Sequence, residues 1–212
     1  MGSATKQGAA STFLRDTLRR ISLALGQDEE TFQTTLARSF LVSADNAHAI
    51  HPDHPEYADR GNCPRMNGGV VIKFNANQRY ATDGRSCAVF RAACAEAGVP
   101  VQLMANRSDL PGGSTLGSIA GTLVPVSTVD IGLAQLAMHS SWETMGAQDC
   151  AYLAAAAARI FETELYRPRA LRRGRRALSA QKISLSRRKG IFFSHFPVQE
   201  GQSMGTISPI TT

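Results

Sequence analysis

Residues 39–56 read SFLVSADNAHAIHPDHPE, and the fold turns on whether this is a strand entering a polar loop or a helix with histidine at every third position. A helix would place His48, His51 and His54 on one face, a pattern suited to a metal. Pro52 and Pro55 argue against it, because each lacks an N–H and pushes the residue before it, His51 or His54, towards extended backbone. Phe40 to Val42 therefore read as a buried strand, and the three histidines as loop residues that need not converge. Asp45, just past that strand, falls outside the carboxyl end of a strand, where open α/β sheets hold their ligands and catalytic groups. Taken alone it is equally a cap or turn aspartate.

The flanking sequence repeats the same grammar. STFLRDTLRRISLAL (11–25) spaces Leu14, Leu18, Ile21 and Leu25 as one helical stripe ended by Gly26, and DEETFQTTLAR (28–38) is a second helix with acidic residues in its first turn. VVIKFN (70–75), PVQLMAN (100–106) and STVDIGL (127–133) are further strand candidates. Between and after them come helices: one capped by Asp83 with Cys87, Phe90, Cys94 and Ala97 on its apolar side, one at GGSTLGSIAGTLV, and the Ala-rich AQDCAYLAAAAARIFETEL. Strands alternating with helices predict a three-layer α/β/α fold on a largely parallel sheet.

The chain of 212 residues is 43% hydrophobic and 19% charged, an ordinary globular composition that argues against disordered and fibrous classes. No apolar run approaches the roughly 18–20 residues of a membrane span, and the N-terminus lacks a signal-peptide pattern, so a cytoplasmic protein is expected. Cys63, Cys87, Cys94 and Cys150 are scattered and read as reduced thiols. The net charge of +6 is uneven. Arg167 to Thr212 holds ten Lys and Arg against Glu200 alone, while acidic groups outnumber basic ones in the rest. A boundary is expected near Tyr166, between a folded body at 1–166 and a basic, disordered tail at 167–212. The tail lacks aromatic interleaving, so nucleic acid is not the expected partner.

Three more residues carry possible chemistry. His139, in LAMHSSWET after the fourth strand, is a second metal-ligand candidate, although a lone histidine there is more often structural. With Asp45 it gives a carboxylate and an imidazole, suited to zinc but short of its usual shell. Lys73 and Tyr80, in KFNANQRYATDG, suit a carboxylate or peptide end and are also ordinary surface and core residues.

Five blocks in order, GSATKQGAAS, FLVSADNAHAIHP, NGGVVIKFNANQRYATDG, NRSDLPGGSTLG and TVDIGLAQLAMHS, resemble the C-terminal part of the aspartyl aminopeptidase family, also called the aminopeptidase I family of cytosolic zinc exopeptidases. The resemblance implies a phosphorylase/hydrolase-like zinc-exopeptidase fold, here partial and without the N-terminal half and the inserted β-domain. It implies two zinc ions per site, peptide substrates with N-terminal Asp or Glu, and a homo-oligomer. By the family pattern Asp45 and His139 are metal ligands, and Asp45, His48, Lys73 and Tyr80 contact substrate; His51 and His54 receive no role. The family's general-base glutamate and a glutamate ligand stand just before the position of Met1, and a histidine ligand and a bridging aspartate lie further upstream. The resemblance thus implies a truncated, inactive chain, or alternatively a non-catalytic assembly or binding fragment.

Overall fold

A computed structural model describes residues 3–164; the basic segment from Arg167, and with it the expected boundary and tail, lies outside the described residues. Two helices come first, α1 (Phe13–Ala24) and α2 (Glu29–Arg38). Helix α2 begins at Asp28, whose extended backbone leaves the carboxylate free to accept the Thr31 N–H at 2.8 Å, and Glu29 and Glu30 follow at the positive end of the dipole. The pair packs through Leu18, Phe32 and Leu36 onto Val124. The expected α1 stripe is only half used. Leu18 is buried, but Ile21 and Leu25 are 41% and 58% exposed, because the surface against α1 is confined to α2 and the segment around Leu123–Val126 among the described residues.

The strands in chain order are β1 (Phe40–Ala44), β2 (Ala47–His48), β3 (Val70–Phe74), β4 (Val101–Ala105), β5 (Ser127–Gly132), β6 (Ala134–Leu136) and β7 (Thr144–Met145); the later helices are α3 (Gly84–Glu96), α4 (Leu116–Ala120) and α5 (Ala147–Glu162). The main sheet has the order β1-β5-β3-β4. β1 with β5 and β3 with β4 are parallel, as expected, while β3 with β5 is antiparallel, so two parallel pairs meet back to back. A second sheet, β2-β6-β7, was not foreseen, since strands of two or three residues carry no readable alternation. Helix α4 covers only part of the stretch read as helical, because glycines flank it on both sides.

Period-two alternation sorts the strand residues into layers. Val70 and Ile72 of β3 and Val129 and Ile131 of β5 enter the main core against Phe90 and Cys94 of α3 and Ala156 and Ile160 of α5. Val71, Lys73 and Asp130 point the other way, where α4 lies against β1 and β5. Helices thus cover both faces of the sheet, the α/β layering read from the sequence.

The turn into β3 is fixed from a distance. Asp149, fully buried in the first turn of α5, accepts the N–H groups of Asn67 at 2.7 Å and Gly69 at 2.9 Å. Gly69 has φ +102°, and a β-carbon there would meet Pro100 O at 2.1 Å, so only glycine fits.

Candidate active site

Asp45 follows the last residue of β1, as the sequence implies, and its side chain is exposed there. Its main chain is held on both sides. The Asp45 N–H donates to Ile131 O at 3.0 Å, and its C=O accepts Lys73 Nζ at 2.8 Å. Gly132 permits the approach, since a β-carbon there would lie 2.0 Å from Asp45 O.

Lys73 is 2% exposed. Its stem crosses the sheet face opposite the core, and Nζ also reaches Asn46 O at 3.4 Å and lies 5.3 Å from the centre of the Tyr80 ring. Burial pushes its pKa down from the usual lysine value, opposed by the negative charges of Asp45 and Asp130. Tyr80 is buried at 5% exposure, and desolvation raises its phenol pKa. The Asn106 side chain opposes that rise, while its own Oδ1 is buried with no partner among the described residues.

His48, on β2, keeps an exposed face. Desolvation first, then the charges of His139 and Lys73, lower its pKa and favour the neutral imidazole. His139 follows β6 with φ 68°, two residues after Ala137 at φ 55°. Two non-glycine residues in the left-handed region are uncommon and require local support. It comes from the His139 N–H on Glu143 Oε1 at 2.6 Å and the Ser140 N–H on Ala137 O at 3.0 Å.

Of the five residues singled out from the sequence, Lys73 lies against the main chain of Asp45 and the ring of Tyr80, and the charges of His139 and Lys73 bear on His48. Beside them lies a cavity of about 340 Å³ lined by His48, His51, His54, Tyr57, Asn106 and Gln135, among others. The three histidines thus line one cavity after all, with His51 and His54 ring centres 5.4 Å apart, but His48 comes from strand β2 and His51 and His54 from the loop after it, not from a helix. No group of three or more His, Cys, Asp or Glu among the described residues is placed to hold a metal ion.

Asp130 escaped the sequence reading. It is fully buried on β5, accepts Thr115 Oγ1 at 2.8 Å and the Ala81 N–H, and donates its own N–H to Thr82 Oγ1 at 2.8 Å. It thereby ties the loop carrying Tyr80 to the start of α4. A carboxylate inside the apolar run STVDIGL was the available signal, since buried charge is rare unless partnered.

A fold with helices on both faces of a mixed sheet has counterparts among known proteins. Residues 1–161 match the family described as aminopeptidase I zinc metalloprotease (M18). The probable M18 family aminopeptidase 2 of Mycobacterium tuberculosis (strain ATCC 25618 / H37Rv) is 47% identical over 165 residues, which are 78% of this chain and 38% of that one. Among solved structures, the cryo-EM structure of the Ape4 and Nbr1 complex superposes with a TM-score of 0.70 at 40% identity, covering 76% of this chain and 30% of that one. The S. cerevisiae mApe1 dodecamer gives 0.65 at 26% identity, covering 76% of this chain and 35% of its own. The chain belongs to the M18 aminopeptidase family and spans well under half the length of these relatives.

The chain's donors match zinc in kind, one carboxylate and one imidazole, but not in number. A catalytic zinc takes three protein ligands and keeps one position open, and the described residues bring together no such set.

Proposed function

We propose that this chain carries part of the active site of an M18 zinc aminopeptidase that removes acidic residues, Asp or Glu, from peptide N-termini, and that it is inactive by itself. The observation that supports this best is the placement of Lys73, a buried cation on the carbonyl of Asp45. A positive charge with little water around it attracts a substrate carboxylate more strongly than a solvated one. In this reading Asp45 and His139 are the ligands this chain gives to a two-zinc site, and zinc, when bound, polarises the scissile carbonyl and supplies hydroxide at neutral pH. Asp45, His48, Lys73 and Tyr80 meet the substrate. Lys73 and Tyr80 supply charge and shape for the acidic side chain, and the neutral His48 supplies a hydrogen-bonding edge beside it. The proposal includes a cytoplasmic location and a homo-oligomeric assembly, as in the mApe1 dodecamer; among the described residues no helix is long and apolar enough to cross a membrane.

A non-catalytic assembly fragment is the second reading, favoured by the lack of a three-donor cluster among the described residues. A chimera decides between them, with residues 1–161 of this chain replacing the matching part of the mycobacterial relative. The enzyme reading expects zinc-dependent release of N-terminal Asp, abolished by Asp45→Ala or His139→Ala, with Lys73→Ala raising KM for acidic substrates only. Activity that survives Asp45→Ala, or an equal KM change on neutral substrates with Lys73→Ala, refutes these roles.

A further inference from the structure

Asp130 is fully buried on β5. The antiparallel register of Val71 with Gly132 and Ile72 with Ile131 makes Lys73 its next partner across the ladder, on the same face of the sheet. Opposite charges so placed commonly pair, yet these two are spent elsewhere. Lys73 Nζ donates to the C=O groups of Asp45 at 2.8 Å and Asn46 at 3.4 Å. The Asp130 oxygens accept the Ala81 N–H and, at 2.8 Å, the Thr115 hydroxyl. Of the negative charges acting on Lys73, that of Asp45 is the greater. Asp130 therefore serves chiefly to hold other segments of chain and not as a counter-ion.

What it holds is the segment that carries Tyr80. Its side chain accepts the Ala81 N–H, its own N–H donates to Thr82 Oγ1 at 2.8 Å, and its C=O accepts that hydroxyl at 3.4 Å. On the other side of Tyr80, the Arg79 C=O accepts Ser118 Oγ of α4 at 2.9 Å. The start of α4 is in turn tied to Asp130 by Thr115, and to β1 by the Gly117 N–H on Ser43 Oγ at 2.9 Å. A β-carbon on Gly117 would lie 2.8 Å from Asp130 Oδ1, so the approach requires glycine there. Both anchors of Tyr80 thus run through Asp130, one directly and one through α4. Between them Tyr80 stays 5% exposed, its ring 5.3 Å from Lys73 Nζ.

We propose that Asp130 is a positioning residue for acidic selectivity: through Ala81 and Thr82 it sets Tyr80 against Lys73, and it does not itself meet substrate. This rests on the reading of Lys73 and Tyr80 as contacts for an acidic first residue. A neutral side chain of the same shape can do the same work. In Asp130→Asn, Oδ1 accepts the Ala81 N–H and the NH2 donates to the Thr115 hydroxyl, which rotates to accept it. Asp130→Ala can do neither, and a contact group misplaced by about 1 Å can cost about 10²-fold in rate.

Nitration of the full chain by tetranitromethane, mapped by peptide mass spectrometry, reads Tyr80 directly, with Tyr57, 65% exposed, as the reference in the same sample. Asp130→Ala should raise the Tyr80 rate relative to Tyr57 about tenfold, and Asp130→Asn less than about twofold. In the chimera, Asp130→Ala should raise KM for N-terminal Asp or Glu about tenfold, with kcat within about threefold and KM on neutral substrates unchanged. Asp130→Asn should restore the parent values. Asp149→Ala loosens the turn at the other end of β3 and should leave the ratio of acidic to neutral KM where it was. Thr82→Val removes two of the bonds and no charge; with shifts of about threefold, it carries the test if Asp130→Ala fails to fold. The proposal is overturned if Tyr80 stays protected in the folded variants, if KM rises equally on neutral substrates, if Asp130→Asn behaves as Asp130→Ala does, or if Asp149→Ala shifts the ratio as much. Lys73→Ala separates this inference from the reading beneath it. A selective KM rise with Lys73→Ala but none with Asp130→Ala refutes the role of Asp130 alone, whereas no selective rise with Lys73→Ala refutes the site reading and this role with it.

Discussion

Replacing Asp149 by alanine tests the tie between α5 and the turn into β3. The carboxylate accepts two main-chain donors, Asn67 N–H at 2.7 Å and Gly69 N–H at 2.9 Å, the second in a buried setting. Deleting it orphans both. A buried donor left unpaired costs about 1–3 kcal/mol, and a carboxylate near a helix N-terminus contributes about 0.3–1 kcal/mol. The partly buried Asn67 donor regains some water, which brings the expected loss to about 3–5 kcal/mol. Asp149→Asn keeps one acceptor oxygen but turns an NH2 towards the other donor, so about half that loss is expected. Urea denaturation of the full chain and both variants measures it. In thermal melts the alanine variant should fall by roughly 6–20 °C, at 2–4 °C per kcal/mol for a chain of this size. An alanine variant within about 1 kcal/mol of the parent, or an asparagine variant more stable than it, would refute the account.

Three further outcomes are expected. Gly69→Ala should destabilise by about 3–5 kcal/mol or prevent folding, whereas Gly98→Ala, at φ +67° with open space around it, should cost only about 1 kcal/mol, both read by denaturation. Asp83→Ala should cost about 1 kcal/mol near neutral pH by removing the cap on Ser86 N–H at 2.7 Å. The Ser86 hydrogen bonds hold the Asp83 pKa below its ordinary 3.8, so its contribution is present above that value and is lost as pH falls through the lower folded value; the gap between parent and variant should close in acid. In native alkylation, exposed Cys150 and partly exposed Cys63 should react first, while Cys94, buried in the core with its thiol pushed up to about 11, stays unmodified until the chain unfolds.

The strands of the main sheet, and Asp45 and Lys73 as candidates on them, were legible because each carries a local signal. β1 shows as an apolar run closed by Asp45, α3 as a cap at Asp83, and Lys73 as a cation inside VVIKFN. What stayed hidden depends on partners distant in the chain. The roles of Asp130 and Asp149 exist only once Ala81 and Thr115, or Asn67 and Gly69, are brought to them. The antiparallel junction of β3 with β5 is likewise a matter of register, which no window of sequence encodes. The spread of His48, His51 and His54 around one cavity came from a loop path that the two prolines shape without announcing its end point.

The pairing of β1 with β5 joins Phe40 to Ser127, about ninety positions apart, whereas β3 and β4 are joined by about thirty. Contacts of long sequence separation form late, because closing the larger loop gives up more chain entropy. During synthesis β3, α3 and β4 can therefore assemble while the Phe-Leu-Val segment of β1 is still without its partner. Aggregation during biosynthesis should accordingly begin at Phe40–Val42, and chaperones that shield short apolar segments should act there first.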